Sequence, residues 1–127
     1  MFSRLSFKAL LVSALCSANS LSLAALQMET IAEGLDTPWS VAELPDGGFL
    51  VTERPGGIKR VAPSGEVTAV TGVPEVLAKR QGGLFDVVLH PNFAANNTVF
   101  LPHAAGSEDS NQTTVARGIL DGNALTN

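Results

Sequence analysis

Residues 39–70 consist of short runs of alternating hydrophobic and polar residues that are separated by turn-forming residues. The pattern predicts strands at 39–44, 49–53, 58–62 and 66–70, with Pro- and Gly-containing turns at 45–48, 55–57 and 63–65. Consecutive strands joined by such turns form an antiparallel sheet. No segment shows a sustained period of 3.6 with caps, so we expect little helix.

The second half repeats this plan. It predicts strands at 84–89, 98–101 and 113–120 and a turn at 121–122, and the strand-ending prolines Pro45 and Pro91 lie 46 residues apart. A repeat of ~40–50 residues with four strands is typical of a β-propeller blade. The interpretation is an all-β fold with one complete blade and a second blade of three strands. A run of unrelated hairpins in a β-sandwich is the alternative.

The number of blades bears on whether such a fold is closed. Propellers close with ~4–8 blades, and each blade buries its faces against its neighbours. One to two blades leave apolar faces in water. We therefore expect the chain to be the N-terminal fragment of a larger propeller.

The N-terminus has the features of a secretory signal peptide. Arg4 and Lys8 precede an apolar run at 9–16, and Ser22 and Ala24 supply small residues at a cleavage site after Ala24. A membrane anchor needs ~20 continuous apolar residues, and polar residues soon interrupt this run. The prediction is a signal peptide at 1–24, a mature domain at 25–127 without a transmembrane segment, and a periplasmic or secreted location in a Gram-negative bacterium.

Cleavage removes the only cysteine, Cys16, so the mature chain has neither a disulfide nor thiol chemistry. It also removes two of the eight basic residues and none of the twelve acidic ones, which changes the net charge from −4 to −6. An acidic chain of this kind argues against nucleic acid or an anionic membrane as a partner, because both require basic patches.

The two histidines do not suggest a metal site or a catalytic group. They lie 13 residues apart without a nearby cysteine, which is a poor metal-ligand spacing. His90 precedes a proline at a strand end, where a turn role is favoured over catalysis. His103 follows Pro102 in a predicted strand, and we expect it to be an exposed polar side chain.

Residues 80–83 (Arg-Gln-Gly-Gly) are the most suggestive segment. Two glycines let the backbone approach a ligand closely, and Gln81 presents an amide donor and acceptor beside them. A plain turn between blades is the alternative. The pair at 53–54 faces either the central channel or solvent, and Asp86 needs a polar partner because it interrupts an apolar strand.

Several separated motifs, in order, resemble the soluble PQQ-dependent aldose dehydrogenases of the glucose/sorbosone dehydrogenase family. The similar segments cover essentially all of the mature chain: LDTPW at 35–39, LPDG at 44–47, LVTER at 50–54, GVP at 72–74, QGGL at 81–84, DV at 86–87, LHP at 89–91, TVAR at 114–117 and LDG at 120–122.

The resemblance implies a six-bladed β-propeller that binds pyrroloquinoline quinone (PQQ) over its central channel, with calcium ions bracing the quinone and the fold. In such enzymes a histidine base takes the proton of the sugar C1 hydroxyl while hydride passes to the quinone. An aldose becomes a lactone, and an external electron acceptor reoxidises the cofactor.

Only one site residue is implied within this chain: Gln81, in the pocket beside the cofactor and the reacting sugar carbon. The family's catalytic histidine belongs to a His-x-Gly-Gly/Ser-Arg-Leu motif that follows the last residue here, and the quinone clamps and calcium ligands belong to later blades. No catalytic residue or metal ligand is therefore expected in this chain, which alone should neither bind PQQ nor oxidise sugars.

Two departures from the family pattern affect this interpretation. Arg80 stands where the family usually has glycine, and Pro102-His103 replaces Ser-Tyr on the next strand. Two other functions stay open: an exported non-catalytic β module that binds carbohydrate or protein, and another propeller class such as a lactone hydrolase, which would need metal-binding carboxylates around the channel.

Overall fold

The computed structural model describes residues 26–127. The predicted signal peptide at 1–24 lies outside the described residues. The described part forms two four-stranded antiparallel sheets and one helix of four residues. This confirms the all-β fold class with little helix.

The first sheet follows the sequence prediction closely. It consists of β1 (Pro38–Glu43), β2 (Phe49–Glu53), β3 (Gly57–Val61) and β4 (Val67–Ala69), paired antiparallel in chain order. The turn between β1 and β2 contains a bond of 2.9 Å from the Gly47 amide to the Leu44 carbonyl, and Gly47 has φ of 81°. Glycine adopts this left-handed conformation without strain, which is why the Pro-Asp-Gly-Gly segment turns here.

The second sheet differs from the prediction in its strand lengths and number. It consists of β5 (Val88–Leu89), β6 (Thr98–Gly106), β7 (Asn111–Asp121) and β8 (Ala124–Thr126), with helix α1 (Phe93–Asn96) between β5 and β6. The prediction of three strands was wrong, because β8 is a fourth. Both β6 and β7 are also longer than predicted.

Of the predicted strand at 84–89, only β5 forms a regular strand. Side chains form hydrogen bonds with backbone groups of the residues just before β5. The Asp86 carboxylate accepts the Val87 amide at 2.8 Å, and the Thr52 hydroxyl donates to the Phe85 carbonyl at 2.9 Å. Leu84 pairs with β6 through an isolated bridge to His103 and not as part of a strand. The Asp86 bond is a local side-chain bond that competes with a sheet ladder, whereas the Thr52 bond comes from the first sheet.

A single hydrophobic core lies between the two sheets. Leu50 and Ile58 of the first sheet pack there with Val99 and Leu101 of the second, and each of the four is no more than 3% exposed. A backbone contact also joins the sheets at their edges, where the Leu125 amide donates to the Thr71 carbonyl at 2.8 Å. The sheets are therefore packed as neighbouring layers through one face of each.

Within residues 26–127, no helix has the length and hydrophobicity needed to cross a membrane.

Candidate functional site

Gln81 lies at the tip of a turn between the two sheets. The Gly82 amide donates to the Lys79 carbonyl at 2.7 Å and closes this turn, and the Gln81 side chain is exposed. Arg80 has φ of 51°, in the left-handed region, and Gly83 has φ of 146°. A non-glycine residue in the left-handed region is uncommon and costs free energy. The turn therefore keeps a glycine-like shape although position 80 is an arginine.

Arg54 contacts this turn with both its backbone and its side chain. Its carbonyl accepts the Leu84 amide at 3.0 Å, and its Nη2 donates to the Arg80 carbonyl at 2.5 Å. A Cβ atom added to Gly83 would collide with the Arg54 carbonyl. Position 83 therefore requires glycine, because a side chain there would keep the backbones of residues 54 and 83 apart. Arg54 was expected at a strand end, and its contact with the turn was not predicted because only the packing of the two sheets creates it.

The start of β1 and the end of β2 meet beside the same turn. The Arg54 amide donates to the Thr37 carbonyl at 3.0 Å, and Glu53 Oε1 accepts the Asp36 amide at 2.8 Å. Glu53 is 5% exposed and lies 3.7 Å from Lys59 Nζ. The suggestion that Glu53 is a solvated strand end was therefore wrong. Residues from three separated sequence motifs converge at this end of the molecule.

An open cleft of about 310 Å³ adjoins Gln81. Its far wall is the end of the β6–β7 hairpin, with Glu108 and Asn111, and an ion pair of 3.4 Å joins Glu108 to Lys79 across it. Leu77, Lys79, Arg80, Gln81, Gly82, Ala104, Glu108 and Asn111 line the cleft. Amide, carboxylate and cationic groups together suit a ligand with hydroxyl or anionic groups.

Asp86 has the polar partner that the sequence analysis required. Its Oδ1 accepts the Ser40 hydroxyl of β1 as well as the Val87 amide. Asp86 is exposed, so its carboxylate is not buried without compensation. The contact ties the segment before β5 to the first sheet.

The two histidines occupy structural positions. His90 Nδ1 accepts the Asn92 amide at 3.0 Å and lies 3.0 Å from Asn96 Nδ2, so the ring holds the turn into α1. His103 was expected to be exposed, and this was wrong: it is 4% exposed, and its Nδ1 lies 2.9 Å from the Leu101 carbonyl. The alternation of β6 explains the burial, since His103 shares the core-facing side with Val99 and Leu101.

No group of three or more His, Cys, Asp or Glu side chains gathers as a metal site anywhere in 26–127. The described residues thus lack the carboxylate cluster that calcium usually takes.

A family model described as Glucose / Sorbosone dehydrogenase matches residues 35–127. The chain belongs to the glucose/sorbosone dehydrogenase family. It is 40% identical to an uncharacterized protein of Synechocystis sp. over 105 residues, which are 76% of this chain and 26% of that protein. It is 37% identical to the aldose sugar dehydrogenase YliI of Escherichia coli over 108 residues, covering 82% of this chain and 29% of the relative.

A solved family structure supports the same assignment. The PQQ-bound aldose sugar dehydrogenase of Streptomyces coelicolor superimposes with a TM-score of 0.70 at 32% identity, covering 78% of this chain and 30% of that one. The chain thus spans under a third of the length of these relatives. The family resemblance to PQQ-dependent aldose sugar dehydrogenases is confirmed.

The cleft at Gln81 is chemically compatible with a family cofactor of this kind. PQQ is a planar quinone with carboxylate groups, so its site needs cations and N–H donors. Arg80 and the Gln81 amide present such groups in the cleft, and the charge of Glu108 is offset by its ion pair with Lys79.

Proposed function

We propose that residues 25–127 form the first two blades of a six-bladed β-propeller that oxidises aldose sugars at C1 to lactones with PQQ. The observation that supports this most is the turn at Gln81. It keeps a glycine-like backbone at Arg80, is held by Arg54, and presents its amide beside a polar cleft. Two consecutive four-stranded antiparallel sheets support the propeller architecture.

Gln81 is the residue of this chain that we place beside the cofactor and the sugar. When bound, PQQ would supply hydride acceptance, and an external electron acceptor would be the enzyme's second partner. The Gln81 amide donates a hydrogen bond to an oxygen of the bound partner, accepts one from a hydroxyl, and so orients the reacting carbon.

We place the proton-accepting base outside residues 25–127. His90 uses Nδ1 to hold a turn, and His103 is buried in the core. We therefore propose that the base, the quinone clamps and the calcium ligands come from blades that 25–127 do not contain, and that 25–127 alone neither bind PQQ nor oxidise sugars.

A chimera tests this proposal. Residues 35–127 replace the aligned segment of the Escherichia coli aldose sugar dehydrogenase, and aldose-dependent dye reduction is measured with PQQ and Ca²⁺. We expect the chimera to be active and Gln81→Ala to lower kcat/KM about tenfold or more, the loss of roughly one oriented hydrogen bond. The control is Gln112→Ala, an exposed glutamine of β7 outside the cleft.

Two results would contradict the proposal. An unchanged kcat/KM in the Gln81→Ala chimera removes Gln81 from the site. Aldose oxidation by 25–127 alone, at a rate near that of the chimera, shows that no further blade is needed.

Export to the periplasm is part of the same proposal. A signal peptide ending at Ala24 would deliver the chain to the compartment where free sugars and the cofactor meet. N-terminal sequencing of the protein from a periplasmic fraction tests the cleavage site, and a mature protein that starts at Met1 counts against it.

A further inference from the structure

We infer that Arg54 is a positioning residue that fixes the turn at 80–84 and thereby the place of the Gln81 amide. The inference rests on the proposed function for the role of Gln81, and on the structure alone for the contact between Arg54 and the turn.

The backbone of Arg54 is anchored on both sides. Its amide donates to the Thr37 carbonyl at 3.0 Å and its carbonyl accepts the Leu84 amide at 3.0 Å. The end of β2, the start of β1 and the exit of the turn are thereby joined at one residue. The origin of the Arg54 side chain is fixed relative to both sheets.

The guanidinium then reaches the opposite side of the turn. Nη2 donates to the Arg80 carbonyl at 2.5 Å, so Arg54 contacts residues on both flanks of Gln81. Within 26–127, no carboxylate lies at ion-pair distance from Arg54. Its charge is therefore directed to a backbone carbonyl, a charge-assisted bond that is stronger than a neutral one.

The turn needs this support because it is strained and has little internal bonding. Arg80 occupies the left-handed region with φ of 51°, and the turn's own backbone bond is that from the Gly82 amide to the Lys79 carbonyl. A bond to the carbonyl of the strained residue holds it in that conformation. Without it, Arg80 is free to relax and to move Gln81.

Amide hydrogen exchange on the full mature chain tests the contact. In Arg54→Ala we expect exchange at the Gly82 amide to accelerate about tenfold or more. Exchange at Val99 in the core should stay unchanged. Arg54→Lys keeps the charge without the planar fork and should be intermediate. Arg117→Ala, an exposed arginine of β7, is the matched control.

Unchanged exchange at Gly82 in Arg54→Ala would overturn the inference. If Arg54→Ala does not fold, the Arg54→Lys comparison decides: exchange equal to wild type at Gly82 overturns it, and faster exchange there with an unchanged core supports it.

A double-mutant cycle in the chimera tests whether Arg54 acts through Gln81. We expect Arg54→Ala to weaken PQQ binding about tenfold when Gln81 is present and by less than about twofold in the Gln81→Ala background. If Arg54→Ala weakens PQQ binding equally with Gln81 and with Gln81→Ala, the positioning role is overturned. A merely structural residue would act independently of Gln81.

The two proposals fail in different ways. A chimera that binds no PQQ in any form counts against the proposed function. The exchange experiment on the mature chain needs no cofactor and still decides whether Arg54 holds the turn.

Discussion

Thr52, in β2 of the first sheet, compensates for a missing backbone donor at Pro102, in β6 of the second sheet. The Phe85 amide donates to the Pro102 carbonyl at 3.0 Å, and an ordinary residue at 102 would return the bond from its own amide. Pro102 has no such donor. The Thr52 hydroxyl donates to the Phe85 carbonyl instead, at 2.9 Å, and accepts the Ser40 amide at 3.1 Å.

This arrangement predicts the effects of two changes at Thr52. Thr52 is 0% exposed, so Thr52→Val leaves the Phe85 carbonyl and the Ser40 amide without this partner at nearly constant volume. We expect a loss of about 1–3 kcal/mol in the free energy of unfolding. Thr52→Ser keeps the hydroxyl and should cost less. Urea unfolding followed by circular dichroism measures both.

Pro102→Ala provides the matched test, because it restores an amide that can reach the Phe85 carbonyl. Thr52→Val should cost less in the Pro102→Ala background than alone. If the cost is the same in both backgrounds, Thr52 does not substitute for the missing amide of Pro102.

Arg80 shows how the turn accommodates a residue that departs from the family pattern. Arginine stands at position 80, where the family usually has glycine. Arg80 adopts the left-handed conformation nonetheless, with φ of 51°. The compensation is the bond from Arg54, which lies 26 residues away in sequence. Single-sequence patterns do not reveal a contact of that kind.

At the scale of elements, Arg60 of β3 joins two turns from different sheets. Its Nη2 lies 2.5 Å from Asp46 Oδ2 in the β1–β2 turn, and its Nη1 donates to the Gly122 carbonyl in the β7–β8 turn at 3.0 Å. Asp46 Oδ1 accepts the Gly48 amide at 2.9 Å. The Gly48 bond, with Arg60 second, lowers the pKa of Asp46 below its ordinary value of 3.8.

The lowered pKa of Asp46 predicts the sign of a pH effect. A carboxyl whose folded-state pKa lies below the unfolded value stabilises the fold above the unfolded value, and this contribution is lost as pH falls through the folded pKa. Asp46→Asn keeps an oxygen for Gly48 but removes the charge. Its deficit in unfolding free energy should be constant near neutral pH and shrink below about pH 3.8.

Urea unfolding of wild type and Asp46→Asn between about pH 7 and pH 2.5 measures this difference. Asp121→Asn, at an exposed aspartate at the end of β7, is the control for the loss of one negative charge from the surface. A deficit that stays constant down to the lowest pH would show that ionised Asp46 contributes nothing. Added salt should reduce the Arg60 part of the effect, because exposed ion pairs are screened.

The first sheet was predictable because each of its turns has local chemistry that decides its shape, such as glycine at 47 with φ of 81°. The second sheet was less predictable from the sequence. Its β8 has only three residues and too little pattern to be recognised. The extension of β6 past Pro102 follows its pairing with β7, which continues to Gly106 opposite Asn111. The burial of His103 follows from its place on the core-facing side of β6.

The candidate site was predicted in part, and by resemblance rather than by pattern. Gln81 was proposed from its motif, while the pattern alone favoured a plain turn. The contact of Arg54 with the turn was not predicted, and neither was the far wall of the cleft, with Glu108 and Asn111, because these residues come from other hairpins. Contacts between residues far apart in sequence require the tertiary structure.

At the scale of the whole molecule, each sheet has a second face that the core does not use. On the first sheet this outer face is exposed only in part: Val51 and Val61 are buried, whereas Val41 is 62% exposed. Val41 lines a largely apolar cavity of about 350 Å³ together with Ile31 and Leu35 of the segment before β1. On the second sheet the outer face includes Val88, Val115 and Ile119, which are between 40% and 58% exposed. Apolar patches of this kind mark surfaces that tend to be covered.

The two outer faces predict how 25–127 behave in isolation. We expect the isolated protein to bind a hydrophobic dye and to self-associate as its concentration rises. The paired change Val41→Thr and Val115→Thr keeps side-chain shape but adds a hydroxyl to each face. It should weaken self-association by about tenfold or more, since an apolar side chain contributes ~1.5 kcal/mol or more on full burial. Sedimentation velocity over a concentration series measures this.

Met28→Gln separates an effect of the faces from a general effect of exposed apolar groups. Met28 is 93% exposed but belongs to the segment before β1 rather than to either sheet, so its replacement should leave self-association unchanged. A protein that stays monomeric and binds no dye at any concentration would show that the outer faces need no cover. If Met28→Gln and the paired valine change weaken self-association equally, association follows the total exposed apolar area. It would then not depend on the faces of the sheets.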